Sequence, residues 1–220
     1  MSKKTLYGQA HSRVVIQPSC VRIGGRVVTK EQAKMVSKIQ TMREEESLRT
    51  LERTHSEYHW IFKDSKYEDV RVAVALLSGK FHEQFVNDEH WSVRLAVADA
   101  STTYHDQLST DEVWQVRRAV VEASTTYHHI LKDDTNCFVR AAVARASDKY
   151  HAQLVTDEEW MVRRAVASTS VTHHHILKDD PEWPVRAAVA NISTAYHALL
   201  ANDEHWAVRD AVRNYKEESK

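Results

Sequence analysis

A spacing of 23 residues governs this sequence. Valine recurs at Val70, Val93, Val116, Val139, Val162, Val185 and Val208, and each is followed by arginine, at Arg71, Arg94, Arg117, Arg140, Arg163, Arg186 and Arg209. An alanine–valine pair keeps step, from Ala73 with Val74 to Ala211 with Val212. A pattern that returns at roughly 20 to 50 residues marks stacked supersecondary units, each too small to bury its own apolar face and each completed by its neighbours. Full units run over residues 65–87, 88–110, 111–133, 134–156, 157–179 and 180–202, with a degenerate unit at 42–64, a truncated one at 203–215 and a polar tail at 216–220. A longer period overlies the first: residues 111–156 and 157–202 share Val-Arg-Arg-Ala-Val at 116 and 162 and His-His-Ile-Leu-Lys-Asp-Asp at 128 and 174, the trace of a duplicated two-unit block.

Inside a unit the signals are helical. Asp88, Asp111, Asp134, Asp157, Asp180 and Asp203 stand where an N-cap is expected, mostly followed by glutamate where the helix dipole favours negative charge. Pro181 fits the first helical position, and Pro184 costs little if it lies in the first turn. Serine at Ser78, Ser101, Ser124, Ser147, Ser170 and Ser193 ends this longer helix or caps a second, short one such as Thr103 to Leu108. The expected fold is all-α: a right-handed α-solenoid of about seven 23-residue two-helix repeats.

The N-terminal segment, 1–41, stands outside the repeat. β-Branched runs at Arg13–Ile16, Cys20–Ile23 and Arg26–Thr29, with Gly24-Gly25 between the last two, predict a small β-hairpin over about 13–29. Thr29 with Gln32 forms a capping-box pattern that opens a helix continuing to about Thr54. The segment reads as a cap on the first core face, or as a separate docking element.

Composition narrows the function classes. Lys plus Arg (30) balances Asp plus Glu (31), so bulk charge gives no pull toward nucleic acid or an anionic membrane. Cys20 and Cys137 match no metal or disulfide spacing, and no apolar run approaches a signal peptide or a membrane span. These features predict a soluble cytoplasmic protein. Phosphate loops, nucleophile elbows and paired-histidine zinc motifs are absent from the sequence, so a non-enzymatic role is expected.

The motif Asp180-x-x-x-x-Val-Arg-Ala-Ala-Val-Ala190, repeated in register over 65–215 with a short Thr-initiated helix and a leucine before the next aspartate, resembles leucine-rich-repeat-variant units and, more broadly, HEAT-like α-solenoid repeats. This chain has Ser-Thr where an Asn-Pro turn is usual in the variant family, and its units are one residue shorter. Some members bind an iron–sulfur cluster through N-terminal cysteines; with Cys20 alone in that region the cluster is not carried over, and no cofactor or metal is expected. The resemblance implies a protein-binding scaffold, with nucleic-acid binding in some HEAT-like relatives. It also implies that the ladder arginines pair with an aspartate of a neighbouring unit, against the alternative of a phosphate-binding ladder.

Two other ladders carry chemistry in principle. Trp91, Trp114, Trp160, Trp183 and Trp206, with Cys137 in the missing slot, read as core packing at the helix starts, the alternative being base stacking in a DNA-glycosylase-like enzyme. Histidines 59, 82, 105, 128, 151, 174 and 197 read as structural or surface residues, since equivalent positions on stacked helices lie about 10 Å apart and cannot converge on one ion. A pH-responsive ladder stays open.

Residues that vary between units are the ones free to recognise a partner. Three columns fall within about 60° of one another on a helical wheel, opposite the valines. They are Ser92, Leu95 and Asp99, then Gln115, Arg118 and Glu122, then Phe138, Ala141 and Arg145, then Met161, Arg164 and Ser168, then Pro184, Ala187 and Asn191. Arg118, Phe138, Arg145, Met161, Arg164 and Pro184 are the candidate partner-binding residues, apolar anchors mixed with arginine as in protein interface cores. The same stripe reads equally as a solvated face. A protein partner is expected, nucleic acid is the alternative, and self-assembly through solenoid ends or the hairpin is a further possibility.

Overall fold

A stripe of valines four residues apart, flanked by alanines, favours short helices that approach one another closely, and the computed structural model has this form throughout its repeats. It describes residues 15–17, 20–23 and 26–218. The chain divides into two units, Met1–Tyr104 and His105–Lys220.

In the first unit three short strands, β1 (Val15–Gln17), β2 (Cys20–Ile23) and β3 (Arg26–Val28), pair antiparallel in that order. Of the hairpin expected at about 13–29 the paired strands are described, while residues 13–14, 18–19 and the Gly24-Gly25 turn lie outside the described residues. The expected capping box is present: the Thr29 hydroxyl accepts from the Gln32 amide at 3.1 Å, and the Gln32 side chain accepts from the Thr29 amide at 2.9 Å. The helix it opens does not run on to Thr54. It stops as α1 (Lys30–Thr41), the chain turns extended at Met42 and Arg43, and Glu44, Glu45 and Glu46 start a new helix, α2 (Glu44–Glu52). Buried Met42 turns inward at this break, and three acidic residues suit the positive end of the helix dipole. The unit continues with α3 (Glu68–Leu77), α4 (His82–Phe85) and α5 (Trp91–Ala100).

The second unit repeats a short and a long helix: α6 (His105–Leu108), α7 (Trp114–Ala123), α8 (His128–Leu131), α9 (Cys137–Ala146), α10 (His151–Leu154), α11 (Trp160–Thr169), α12 (His174–Leu177), α13 (Trp183–Ile192), α14 (His197–Leu200) and α15 (Trp206–Glu218). Long helices pack in series, α2 on α3 on α5 in the first unit and α7 through α9, α11 and α13 to α15 in the second, a solenoid-like arrangement within each. The Val-Arg valines and those four residues on form the seam, essentially without exposure, and leucines 108, 131, 154, 177 and 200 close it from the short helices.

The aspartates do not cap the helices. Each lies three residues before its helix and accepts, through one carboxylate oxygen, the amide two residues on, at 2.9 Å for Asp88 to His90 and 2.8 Å for Asp134 to Asn136. The N-cap falls at that second residue, as at Asn136, whose side chain accepts from the Phe138 amide. Pro181 therefore precedes its helix, and Pro184 sits in the first turn, where its missing donor has no intrahelical partner to lose. The serines end the long helices with extended backbone, and the Ser101 and Ser124 hydroxyls accept from the amides of Thr103 and Thr126.

The arginines pair as the resemblance implies. Arg140 Nε and Nη2 donate to both carboxylate oxygens of Asp157 at 2.7 and 2.8 Å, while its Nη1 donates to the Asp134 carbonyl at 2.8 Å. Arg71 with Asp88, Arg117 with Asp134, Arg163 with Asp180 and Arg186 with Asp203 repeat the geometry. The pairs are largely desolvated, and the hydrogen bond to aspartate holds each of these arginines above its already high ordinary pKa. Removing one partner of a buried pair costs about 3–5 kcal/mol because the other charge is stranded, whereas replacing both by apolar residues is often near neutral. Arg140→Leu is therefore expected to lower stability by about that amount in urea unfolding, and Arg140→Leu with Asp157→Leu to recover most of the loss.

Histidine closes the other end of each long helix. Nε2 of His82, His128, His151, His174 and His197 lies 2.7–3.0 Å from the carbonyl seven residues earlier, one that the helix end leaves without an amide partner. The ladder is thus buried and structural. The ring occupies an apolar site and donates one hydrogen bond, so His128→Phe keeps the volume and orphans the Val121 carbonyl; a loss of about 1–3 kcal/mol is expected in the same unfolding measurement.

Candidate interaction surface

The five arginines just described have their forks closed on aspartate and are not offered to a ligand. Nor do the tryptophans fill the core as expected. They stand at the first position of the long helices, where the side chain points to the edge of the stack, and Trp91, Trp183 and Trp206 are exposed. Two of them are covered from the following repeat instead. Trp114 stacks on Phe138 with ring centroids 4.9 Å apart, and Trp183 on His205 at 4.3 Å and nearly parallel.

Phe138 is consequently held by its neighbour yet 44% exposed. The same helix, α9, carries exposed Arg145 about two turns further along, and α11, packed beside it, carries half-buried Met161 and exposed Arg164. Arg118 on α7 is paired within its own helix to Glu122 at 2.7 Å. Among the described residues neither Arg145 nor Arg164 has an acidic partner. Pro184 on α13 is half-buried.

The stripe is not continuous. Ala141, expected on it, is buried, because α9 packs against both α7 and α11 and leaves a narrower open arc than an isolated helical wheel implies. A second exposed column, not anticipated, lies on the short helices at Ile130, Ile176 and Leu199. Its signal was the alternation of apolar residues with Gln107 and Gln153 at the same place in the unit. Gln84, in the same column, donates to Asp64 of the preceding repeat at 2.9 Å, so this column links units where it is polar and is bare where it is apolar.

Among the described residues no group of three histidine, cysteine, aspartate or glutamate side chains is placed to hold a metal ion, and no helix is long and apolar enough to cross a membrane. His173 differs from its column, which is otherwise tyrosine or phenylalanine, at Tyr58, Phe81, Tyr104, Tyr127, Tyr150 and Tyr196. Its ring lies 6.3 Å from that of His151 and 6.5 Å from that of His175. Burial, then the two neighbouring imidazoles, push its pKa below the ordinary histidine value. A depressed folded-state pKa gives stability that is full above the unfolded value, about 6.5, and is lost as pH falls through the folded one. His173→Tyr is expected to reduce the loss of stability between pH 7 and pH 5, read as urea midpoints at each pH; unchanged pH dependence would contradict this.

No protein-family model and no curated protein matches the chain. Among solved structures it is similar to one described as a leucine-rich repeat variant with a novel repetitive protein structural motif, at 25% identity and a TM-score of 0.66, over 84% of this chain and 82% of that one.

Proposed function

We propose that this chain, a helical repeat protein of the leucine-rich-repeat-variant kind, is a non-enzymatic scaffold that binds another protein through the outer stripe of α7, α9 and α11. Phe138 carries the reading. An exposed aromatic ring immobilised by stacking on Trp114 loses little entropy on binding, and its helix and the two packed against it carry Arg118, Arg145 and Arg164, a combination that dominates interface energetics. Met161 and Pro184 extend the apolar part. Arg145 and Arg164, without an acidic partner among the described residues, suit a partner surface with acidic residues, which they would steer by charge. In this reading the repeats wind right-handed, the N-terminal segment caps the first core face, and the protein works in the cytoplasm.

Nucleic acid is the second reading, favoured by the same two arginines. It is the weaker because five ladder arginines are already closed on aspartate and the chain has no excess of positive charge. The two readings separate in one experiment. Phe138→Glu with Arg164→Glu is expected to abolish recovery of the bound protein from the native host while leaving the circular dichroism and urea midpoint unchanged. Full recovery by the double variant removes the stripe as the site. Binding to DNA or RNA that falls steeply with rising salt would replace the protein by a polyanion.

A further inference from the structure

The tryptophan column leaves aromatic surface on the outside of the stack, where the core has no use for it. In the second unit Trp160 is half-buried, and Trp183 is 41% exposed although His205 stacks on it at 4.3 Å. Both stand at the first position of their helices, α11 and α13, beside the turn that precedes each one. Those turns set the charge of the edge. The segments 111–115, 134–138, 157–161, 180–184 and 203–207 contain five aspartates, five glutamates and no lysine or arginine.

The two kinds of carboxylate on this edge differ in what they have left to offer. Asp157, Asp180 and Asp203 are each gripped by two nitrogens of a ladder arginine and are largely desolvated. The glutamates stay in solvent. The side chains of Glu158 and Glu204 are 85% and 88% exposed and lie only loosely against Arg140 and Arg186, at 3.7 and 3.4 Å. Glu159 and Glu182 are exposed at the N-cap positions, and neither side chain caps its helix. The ladder pairs cancel their own charge, so the excess on this edge belongs to the glutamates. The helix dipole accounts for acid at a helix start but not for an indole on the outside. An exposed indole framed by carboxylates is the complement of a guanidinium, which stacks on the ring face and pairs with the acid through its fork.

We propose that the turns before α11, α13 and α15 form a docking edge for an extended, arginine-rich segment of a partner polypeptide, a surface distinct from the outer stripe and opposite to it in charge. The spacing of that segment follows from the stack. Long helices packed in series lie about 8–10 Å apart, and an extended chain advances about 3.3 Å per residue, so arginines at every third position meet successive turns. Their guanidinium groups lie on Trp160 and Trp183 and pair with Glu158, Glu159, Glu182 and Glu204. Nucleic acid and anionic membrane are repelled by the same carboxylates.

A labelled synthetic peptide, Arg-Ser-Ser-Arg-Ser-Ser-Arg, tests the edge on the full-length protein by fluorescence anisotropy at low salt. Saturable binding is expected, weakened about tenfold by Glu158→Gln with Glu182→Gln and Glu204→Gln, and about threefold by Trp183→Ala. The three glutamates are exposed, so their combined variant is expected to keep the urea midpoint of the parent, and it decides the matter if Trp183→Ala loosens the stack. A peptide of the same composition with its three arginines adjacent engages fewer turns at once and is expected to bind about threefold more weakly. Phe138→Glu with Arg164→Glu in the protein should leave the peptide bound, which separates this edge from the outer stripe. No saturable binding, equal binding by the triple glutamine variant, or equal binding of the two peptides overturns the proposal. So does loss of binding in the stripe variant, or tighter binding of single-stranded DNA than of the arginine peptide.

Discussion

The structure depends on one desolvated contact repeated along the chain, the arginine that joins three pieces of backbone at once. Its Nη1 holds the carbonyls of the turn before its own helix, and its fork holds the aspartate of the next turn, as Arg163 does with Asp157, Glu158 and Asp180. That aspartate in turn fixes its own loop by accepting the amide two residues on. A guanidinium has five donors and no acceptor, so a site that employs nearly all of them at fixed angles defines both the pitch and the register of the stack. A charge taken out of water is tolerable only while paired, and each repeat is therefore conditional on its successor. This is the physical content of nearest-neighbour coupling in a repeat protein.

At the opposite end of each long helix the buried histidine does for the carbonyls what the arginine does for the turn. A helix of ten residues leaves a large share of its backbone groups without internal partners, so both ends need polar side chains from elsewhere in the repeat. Once those are supplied, the middle of the helix is free to be valine and alanine, small enough for neighbouring helices to close on each other. Asp203 shows how the polar ties depend on solution conditions. The hydrogen bond from Arg186, then the His205 amide, hold its carboxyl below the ordinary range, so this tie is intact at neutral pH and fails only as the pH falls below that range.

The period and the helix pairs were legible in the sequence because a strict spacing of 23 repeats their signals in register, and the arginine–aspartate pairing followed from the family resemblance that this spacing carries. Other features were not, for definite reasons. An aspartate in a turn and an aspartate at an N-cap both place an oxygen near an amide two or three residues ahead, so Asp134 reads alike in either role until the helix start is known. Large aromatic residues suggest a core, yet a side chain at the first helical position projects beyond the stack, and Trp183 finds its cover on His205 instead. The helical wheel put Ala141 on the open face because a wheel contains no neighbours. Phe138, Arg145 and Arg164 were found by variation between repeats, a criterion independent of geometry, and they are exposed.

Repetition also separates what a side chain is from what it does. The same arginine, held by the carbonyls of its own turn, becomes a strut when an aspartate of the next turn closes its fork, as Asp157 does on Arg140 and Asp203 on Arg186. The same tryptophan column is a stacking surface at Trp114 and Trp183 and is largely exposed at Trp206, the first residue of α15. Each contact between consecutive repeats is therefore one more instance of the same recognition, an aspartate seated in a guanidinium fork that its own turn has already oriented.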